Sequence, residues 1–465
     1  MKNLKYIFFS LFTLAFASQV RAQQVNTLYF MNSVAQSMKY NPAKQSEAKF
    51  TLAFPALNNS LHVYNQFNFN DVYMERNDST ILDVNGFLDK LDPENTQLSS
   101  VATEIIGAYY QKDKWGVNLS VNYQVIEHLT YSEGLFRPLL TGTGQDEYLG
   151  VKHDISTIAD VYGFYDISLG GNYRINDKLV VGATLKFLFG THQLNGQING
   201  FVLQEDNAAM NLSFGGDIAM RSRGLGEIVD EEGNLDVDLE NDEFTKSFSS
   251  LSNTGFAIDL GAVYQFNDEL TFEASVRNLG AIKWKDNSNN YVAPLDNISY
   301  SGVDIIELFN GNVDDSFPSI SDSVIFENTD TLSVESTSTL PTIVNLATTY
   351  EVWKHTTAGV LFSQMFYKGD YYPSLTLSLD KQFGRFFGLG LSYTADKSSY
   401  ANLGALVSFG FPGFQLYVVS DNILTAGFQW DQAKTANVRF GLNLPFGKVY
   451  KDDKMPNSLK RRLRN

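Results

Sequence analysis

The sequence predicts an all-β protein: a transmembrane antiparallel β-barrel of about fourteen strands (range 12–16), with a short N-terminal plug or periplasmic segment before the wall. Three observations predict it. The N-terminus has the order of an export signal, apolar and polar residues alternate over lengths that fit a bilayer, and tight turns alternate with long loops.

Lys2 and Lys5 precede an apolar run over residues 6–17, and Val20-Arg21-Ala22 follows. About twelve apolar residues fall short of the roughly 20 a spanning helix needs. Residues 1–22 therefore read as a signal peptide cleaved between Ala22 and Gln23. The chain has no cysteine, which excludes a lipidated cysteine, a thiolate metal site and a disulfide framework. Its mean hydropathy of -0.17, without a later apolar run of about 18 residues, argues against a bundle of membrane helices. The 24 tyrosines, 35 phenylalanines and 35 glycines suit strands with interfacial aromatic girdles.

The alternation is strict. Over residues 115–125, Trp115, Val117, Leu119, Val121, Tyr123 and Val125 share one face, opposite Gly116, Asn118, Ser120, Asn122 and Gln124. Leu375, Leu377 and Leu379 stand against Ser374, Thr376, Ser378 and Asp380; Val438, Phe440, Leu442 and Leu444 stand against Asn437, Arg439, Gly441 and Asn443. A soluble sandwich also alternates, with its apolar face inward. Length and number separate the two, because strands of about ten residues recur along the whole chain whereas sandwich strands centre on five or six. The polar faces favour Asn, Ser, Thr, Gly and Gln over Lys and Glu, as a confined hydrated lumen would.

Strands are expected near residues 60–70, 101–112, 114–126, 162–175, 177–190, 254–266, 269–282, 342–352, 356–367, 371–382, 386–395, 400–410, 413–421 and 435–446. The turns at Lys112-Asp113-Lys114, Asn176-Asp177-Lys178, Asn267-Asp268-Glu269, Lys354-His355, Gly384-Arg385 and Pro412-Gly413 share one side. Placed in the periplasm, they send the long loops 70–100, 127–161, 191–253 and 283–341 outward and leave both termini periplasmic. This arrangement needs residues 50–57 to lie outside the wall. The barrel is thus expected over 60–446, with 23–59 as an N-terminal hatch or periplasmic segment, Pro55 as the break, and 447–465 as a basic periplasmic tail. Residues 208–220 read as a hairpin arm within the third long loop. Leu169-Gly170-Gly171-Asn172-Tyr173 before one turn echoes Leu260-Gly261-Ala262-Val263-Tyr264 before another, through two like hairpins or an internal duplication.

A barrel of this size would leak if nothing filled it. Residues 23–59 are polar and carry Asn41-Pro42-Ala43, which makes these three residues the hatch candidate; a mobile leader is the plainer alternative. Loop 222–253 is rich in acid, including Asp230, Glu231, Glu232, Asp236 and Asp238, but lacks the order of an EF-hand. It reads as a solvated face, with loose divalent bridging to surface glycolipid as the alternative, and no metal site is expected. The end, Lys460-Arg461-Arg462-Leu463-Arg464, offers contact with anionic lipid or a periplasmic protein. Removing the +3 of the signal and the +5 from Lys448 onward from a net -17 leaves -25, which speaks against nucleic acid as a partner. The histidines, His62, His128, His153, His192 and His355, are scattered, and no Gly-x-Ser-x-Gly elbow or His-Glu-x-x-His pair occurs. No catalytic residue, cofactor or enzymatic activity is expected.

The segments Asn26-Thr27-Leu28-Tyr29-Phe30-Met31, Tyr40-Asn41-Pro42-Ala43, Gly255-Phe256-Ala257-Ile258-Asp259-Leu260-Gly261-Ala262, Gly388-Leu389-Gly390-Leu391-Ser392-Tyr393 and Asn437-Val438-Arg439-Phe440-Gly441-Leu442-Asn443 resemble a family of outer-membrane barrels classed as a domain of unknown function. The plan is similar to the long-chain fatty-acid transporters and the type IX secretion shuttle barrel, which carry an Asn-Pro-Ala element near the start of the barrel. The resemblance implies a hatch-bearing barrel and names no substrate. Two functions follow as expectations: a plugged outer-membrane transporter or channel for hydrophobic or small solutes, or a structural barrel that docks partners through its long loops or periplasmic ends.

Overall fold

The computed structural model describes residues 26–64, 73–76, 79–136, 150–203, 212–286, 288–295, 299–300, 324–329, 335–383, 387–396, 400, 402–423 and 435–448. The expected signal, with Ala22 and Gln23, and the basic end from residue 449 lie outside the described residues.

Fourteen wall strands follow one another. They are β1 (Ala48–Ala53 and Asn58–Tyr64), β2 (Glu94–Lys112), β3 (Trp115–Ser132), β4 (Thr157–Arg174), β5 (Leu179–Leu203), β6 (Asn253–Gln265) and β7 (Leu270–Trp284), then β8 (Thr342–Trp353), β9 (Thr356–Tyr367), β10 (Asp370–Phe383), β11 (Phe387–Asp396), β12 (Asn402–Phe411), β13 (Phe414–Ser420) and β14 (Thr435–Lys448). Each pairs antiparallel with the next, and β1 pairs with both β2 and β14, so the sheet closes on itself and leaves no free edge.

The alternation is what closes the barrel: one face must meet an apolar surround and the other a polar interior. Leu375, Leu377 and Leu379 are exposed outward, while Thr376, Ser378 and Asp380 are buried inward. At the rim of tight turns Trp115, Tyr173, Phe266, Trp353, Phe383, Phe411 and Phe446 form an outer aromatic girdle. The two echoed hairpins share one turn chemistry. Asn176 Oδ1 accepts from the amides of Lys178 and Leu179 at 2.9 Å each, and Asn267 Oδ1 accepts from Glu269 and Leu270 at 2.9 and 2.7 Å.

One boundary differs from expectation. Residues 50–53 lie in the wall, with Phe50 paired to Tyr110 of β2 and to Phe446 of β14. The wall thus starts at Ala48, twelve residues before Ser60. Pro55 marks a bend inside β1 rather than its beginning. The chain leaves the ladder over residues 54–57, with Ala56 at φ 56° in the left-handed region, and rejoins at Asn58. Beside it β2 carries its own register shift between Glu104 and Ile106, so both strands slip at one height. Because both halves belong to one strand, the count of fourteen and the loop sides are unchanged.

At the long-loop rim, β5 runs beyond the barrel, and the loop strand Leu212–Arg223 pairs along its residues 193–203, as a hairpin arm. The strand Asn289–Pro294 adds to that arm's other edge. Ile218, Leu225, Ile228, Leu235, Tyr291 and Phe326 form the core of this cap. Within the acidic loop, Asp230 caps a turn through Asn234 and Asn241 caps the helix Asp242–Ser247. Among the described residues no three acidic or histidine side chains gather as a metal site.

Candidate lumenal site

Residues 26–47 precede the wall and lie inside it. They comprise a helical turn, α1 (Asn26–Phe30), a 3-10 turn (Ala35–Lys39) and the Asn41-Pro42-Ala43 bend. Leu28, Tyr29 and Val34 are fully buried although the segment belongs to no sheet. Helices this short are marginal alone, so the wall must hold them.

The segment touches every wall strand. Its start hangs on Asp421, just past β13, whose carboxylate accepts from the amides of Asn26 (2.5 Å) and Thr27 (2.9 Å) and from the Thr27 hydroxyl. Thr27 Oγ1 also meets Ser392 Oγ of β11 at 2.5 Å, and Asn26 donates to Thr376 of β10 at 3.1 Å. The Phe30 ring packs on Gly359 of β9, and a Cβ on Gly404 of β12 would stand 2.7 Å from Thr27 Oγ1. Gln415 of β13 donates to Ser33 O at 2.9 Å.

Gln36 bridges the closing seam. Its amide nitrogen reaches Asn58 of β1 (3.1 Å), Glu104 of β2 (3.1 Å) and Asn443 of β14 (2.8 Å), and Asn443 donates back at 2.8 Å. Lys39 pairs with Glu104 at 3.0 Å and donates to Asn122 of β3 at 2.5 Å. Burial lowers the Lys39 ammonium below its usual range, against the opposing pull of the Glu104 carboxylate. The Tyr40 carbonyl accepts from Ser275 of β7 (2.7 Å) and Asn345 of β8 (3.4 Å).

Asn41, Pro42 and Ala43 sit together on β5 and β6. Asn41 Oδ1 accepts from the Ala43 amide at 3.0 Å, an Asx turn, while its Nδ2 donates to Tyr29 Oη and to Ala262 O, both at 3.3 Å. The wall makes room by glycine. A Cβ on Gly182 would lie 2.3 Å from the Pro42 carbonyl oxygen, and one on Gly261 would lie 2.1 Å from Asn41 Oδ1. Lys44 then folds back to Tyr29 O and to Asn32 Oδ1 (3.1 Å), stands 3.3 Å from Glu273 of β7, and its carbonyl accepts from Asn172 of β4 at 3.1 Å.

Toward the long-loop rim lies a chamber of about 210 Å³. Met38, Lys39 and Tyr40 form its floor, with Glu104, Asn122, Asp166, Lys186, Arg277 and Arg439 around it. A bulge between Ile258 and Leu260 of β6, opposite Asn278 at φ 59°, sets Arg277 over the Tyr40 ring at 4.6 Å. The roof is apolar: Leu98, Ile126, Phe164, Leu188, Ile343 and Met365. Beyond it opposite walls touch. Tyr64 of β1 meets Tyr372 of β10 at 5.5 Å between rings, His128 of β3 meets Tyr367 of β9 at 5.2 Å, and Tyr367 Oη donates to Tyr162 Oη of β4 at 3.2 Å. The lumen is therefore narrowed twice, once by the segment and once by aromatic side chains.

The sequence pattern singles out Asn41, Pro42 and Ala43 and does not reach Asp421, Arg439 or the roof. Its one available signal was local loss of alternation, as in Tyr162-Gly163-Phe164-Tyr165 and Phe187-Leu188-Phe189, where both faces turn apolar toward the long-loop rim.

The profile of a family of unknown function, DUF5723, matches residues 42–421. No curated protein is similar to the chain in sequence. Among solved structures, a Pseudomonas aeruginosa FadL homologue has 10% identity and a TM-score of 0.43, with 93% of this chain and 98% of that one covered. The P. putida toluene transporter TodX has 8% identity and a TM-score of 0.41, with 89% and 94% covered. The translocator domain of the autotransporter NalP from Neisseria meningitidis has 7% identity and a TM-score of 0.32, with 92% and 100% covered.

Proposed function

The chain belongs to DUF5723, a family of unknown function, and we propose from its lumen that it is a gated outer-membrane transporter for small or hydrophobic solutes, with residues 26–47 as the hatch. The observation that supports this most is that the segment touches all fourteen strands, eleven of them through polar contacts, while a chamber stays open directly above it. Its apolar packing is concentrated in α1 and the turn after it, where Leu28, Tyr29, Phe30, Met31 and Val34 meet Leu361, Leu406 and Val419, and the rest is held by polar contacts. Each buried polar contact exchanges for a solvated one at a modest net loss of about 0.5–1.5 kcal/mol, so the segment can release the wall a few contacts at a time. In this reading the tight-turn rim faces the periplasm, solutes enter between the long loops, and the aromatic narrowing and the hatch act in series.

The chain has no cysteine, so a disulfide reports without background. Thr27→Cys with Ser392→Cys places two thiols where hydroxyls now meet. In planar bilayers the reduced double variant should show gating events that vanish on oxidation and return with reductant. A membrane that stays silent in both redox states counts against transport and favours the docking function.

A further inference from the structure

The charges of the chamber do not balance. Lys39 is paired with Glu104 at 3.0 Å, and Lys186 with Asp259 at 2.8 Å. Arg277 lies over Tyr40 and donates to Lys39 O at 3.3 Å. The remaining acid, Asp166, is already occupied by Asn122 (2.8 Å), Ser168 (2.6 Å) and Gln124. Arg439 is different. Its Nε donates to Tyr417 Oη at 3.3 Å, and among the described residues no carboxylate lies within ion-pair reach of its guanidinium. Glu104, the carboxylate whose field reaches Arg439, is already paired with Lys39, so this second cation beside it favours a further anion.

The roof opposite is built for something apolar, and the volume limits its size. A cavity of about 150 Å³ accepts benzene, and drug-sized ligands use about 300 Å³ or more. At about 210 Å³, the chamber matches a ring with one small polar group. We infer that the chamber binds a compact amphipathic monoanion, a ring-sized apolar body bearing one carboxylate, with the Arg439 fork taking the carboxylate and Leu98, Ile126, Phe164 and Ile343 covering the body. The inference rests on the transport reading and specifies the solute class. It also places the ligand on a line to the hatch: Tyr417 Oη, which accepts from Arg439, donates to Asn58 Oδ1 at 3.2 Å, and that oxygen also accepts from Gln36 at 3.1 Å.

Titration calorimetry on the full-length barrel in non-ionic detergent, with benzoate, benzyl alcohol and hexadecanoate as probes, tests this. Benzoate should bind saturably, and benzyl alcohol, which lacks the charge, about tenfold more weakly or worse. Arg439→Gln should lose about tenfold or more for benzoate, whereas Arg439→Lys, which keeps the charge without the fork, should fall between. Gel mobility of unboiled samples establishes that each variant is folded. Equal benzoate affinity in folded Arg439→Gln, equal affinity for benzyl alcohol, or binding of hexadecanoate without benzoate each overturns the assignment, as does a folded wild type that binds no benzoate. Binding is read at equilibrium, so a silent cysteine pair would remove the transport reading and leave the benzoate result standing.

Discussion

Gly182 of β5 lies so close to the Pro42 carbonyl that a methyl group there would stand 2.3 Å from its oxygen. The obstacle is backbone on both sides, so neither chain can yield without moving the bend away from the wall. Gly182→Ala should cost about 1–3 kcal/mol, the range for overpacking. The measurement is the temperature at which the unboiled gel band shifts, with protease cleavage near Lys44 as a second readout. Gly196→Ala is the control, because its nearest neighbours lie 4.0 Å away. Equal stability of the two variants would mean that the bend does not depend on this contact.

The Lys39–Glu104 pair makes an asymmetric prediction. Glu104 receives Lys39 at 3.0 Å, Gln36 at 3.1 Å and Tyr109 Oη at 2.8 Å. Glu104→Gln leaves the half-buried Lys39 ammonium beside Arg439 without its ion-pair partner, a loss of about 1–3 kcal/mol. Lys39→Met leaves the carboxylate its other donors and should cost less. Denaturation midpoints of the two variants and of their combination decide it; a larger loss for Lys39→Met refutes the assignment of Glu104 as the hub.

Two obstructions in series make conductance a joint property. Removing residues 26–45 leaves the Tyr162, Tyr367 and His128 cluster across the lumen, and Tyr162→Ala with Tyr367→Ala leaves the N-terminal segment, the proposed hatch, in place. Each change alone should raise bilayer conductance only slightly, and the combination far more than the product of the two. Full opening by deletion of the segment alone would show that the aromatic narrowing obstructs nothing.

What the sequence made legible follows from what each element depends on. The walls of β3, β10 and β14 are written in local alternation, and Asn176 and Asn267 announce their turns by the short-range bonds their side chains make. The bend in β1 is not legible in sequence because Pro55 marks a missing ladder donor and says nothing about whether the strand resumes; that depends on the matching slip near Ile105, about fifty residues away. The partnership of Gln36 with Asn443 spans 407 residues and joins two side chains of no distinctive type. Asn41-Pro42-Ala43 could be singled out as a bend, but not the glycines that receive it. The roof residues are ordinary apolar side chains whose inward direction emerges only once the register of each strand is set.

Asp421 gives the last prediction, and the most local one. Its carboxylate is fully buried and accepts three hydrogen bonds from the first two residues of α1, so it serves as a helix cap supplied from a distant part of the chain. Its own amide donates to Asn437 Oδ1 of β14 at 2.7 Å, which fixes the carboxylate in place. Asp421→Asn keeps the shape but turns an amide nitrogen toward donors, and Asp421→Ala removes the acceptor altogether. Loss of a cap costs about 0.5–2 kcal/mol, small against a whole barrel but large for a five-residue helical turn. The wall should therefore stay folded, with an unchanged shift between boiled and unboiled gel bands, while hydrogen exchange over residues 26–31 rises, more in Asp421→Ala than in Asp421→Asn. If the hatch moves first at this end, both variants also gate more often in bilayers. Faster exchange with unaltered gating would place the moving end instead at Lys39 and Lys44, and unaltered exchange would show that Ser392 and Thr376 hold α1 without the carboxylate.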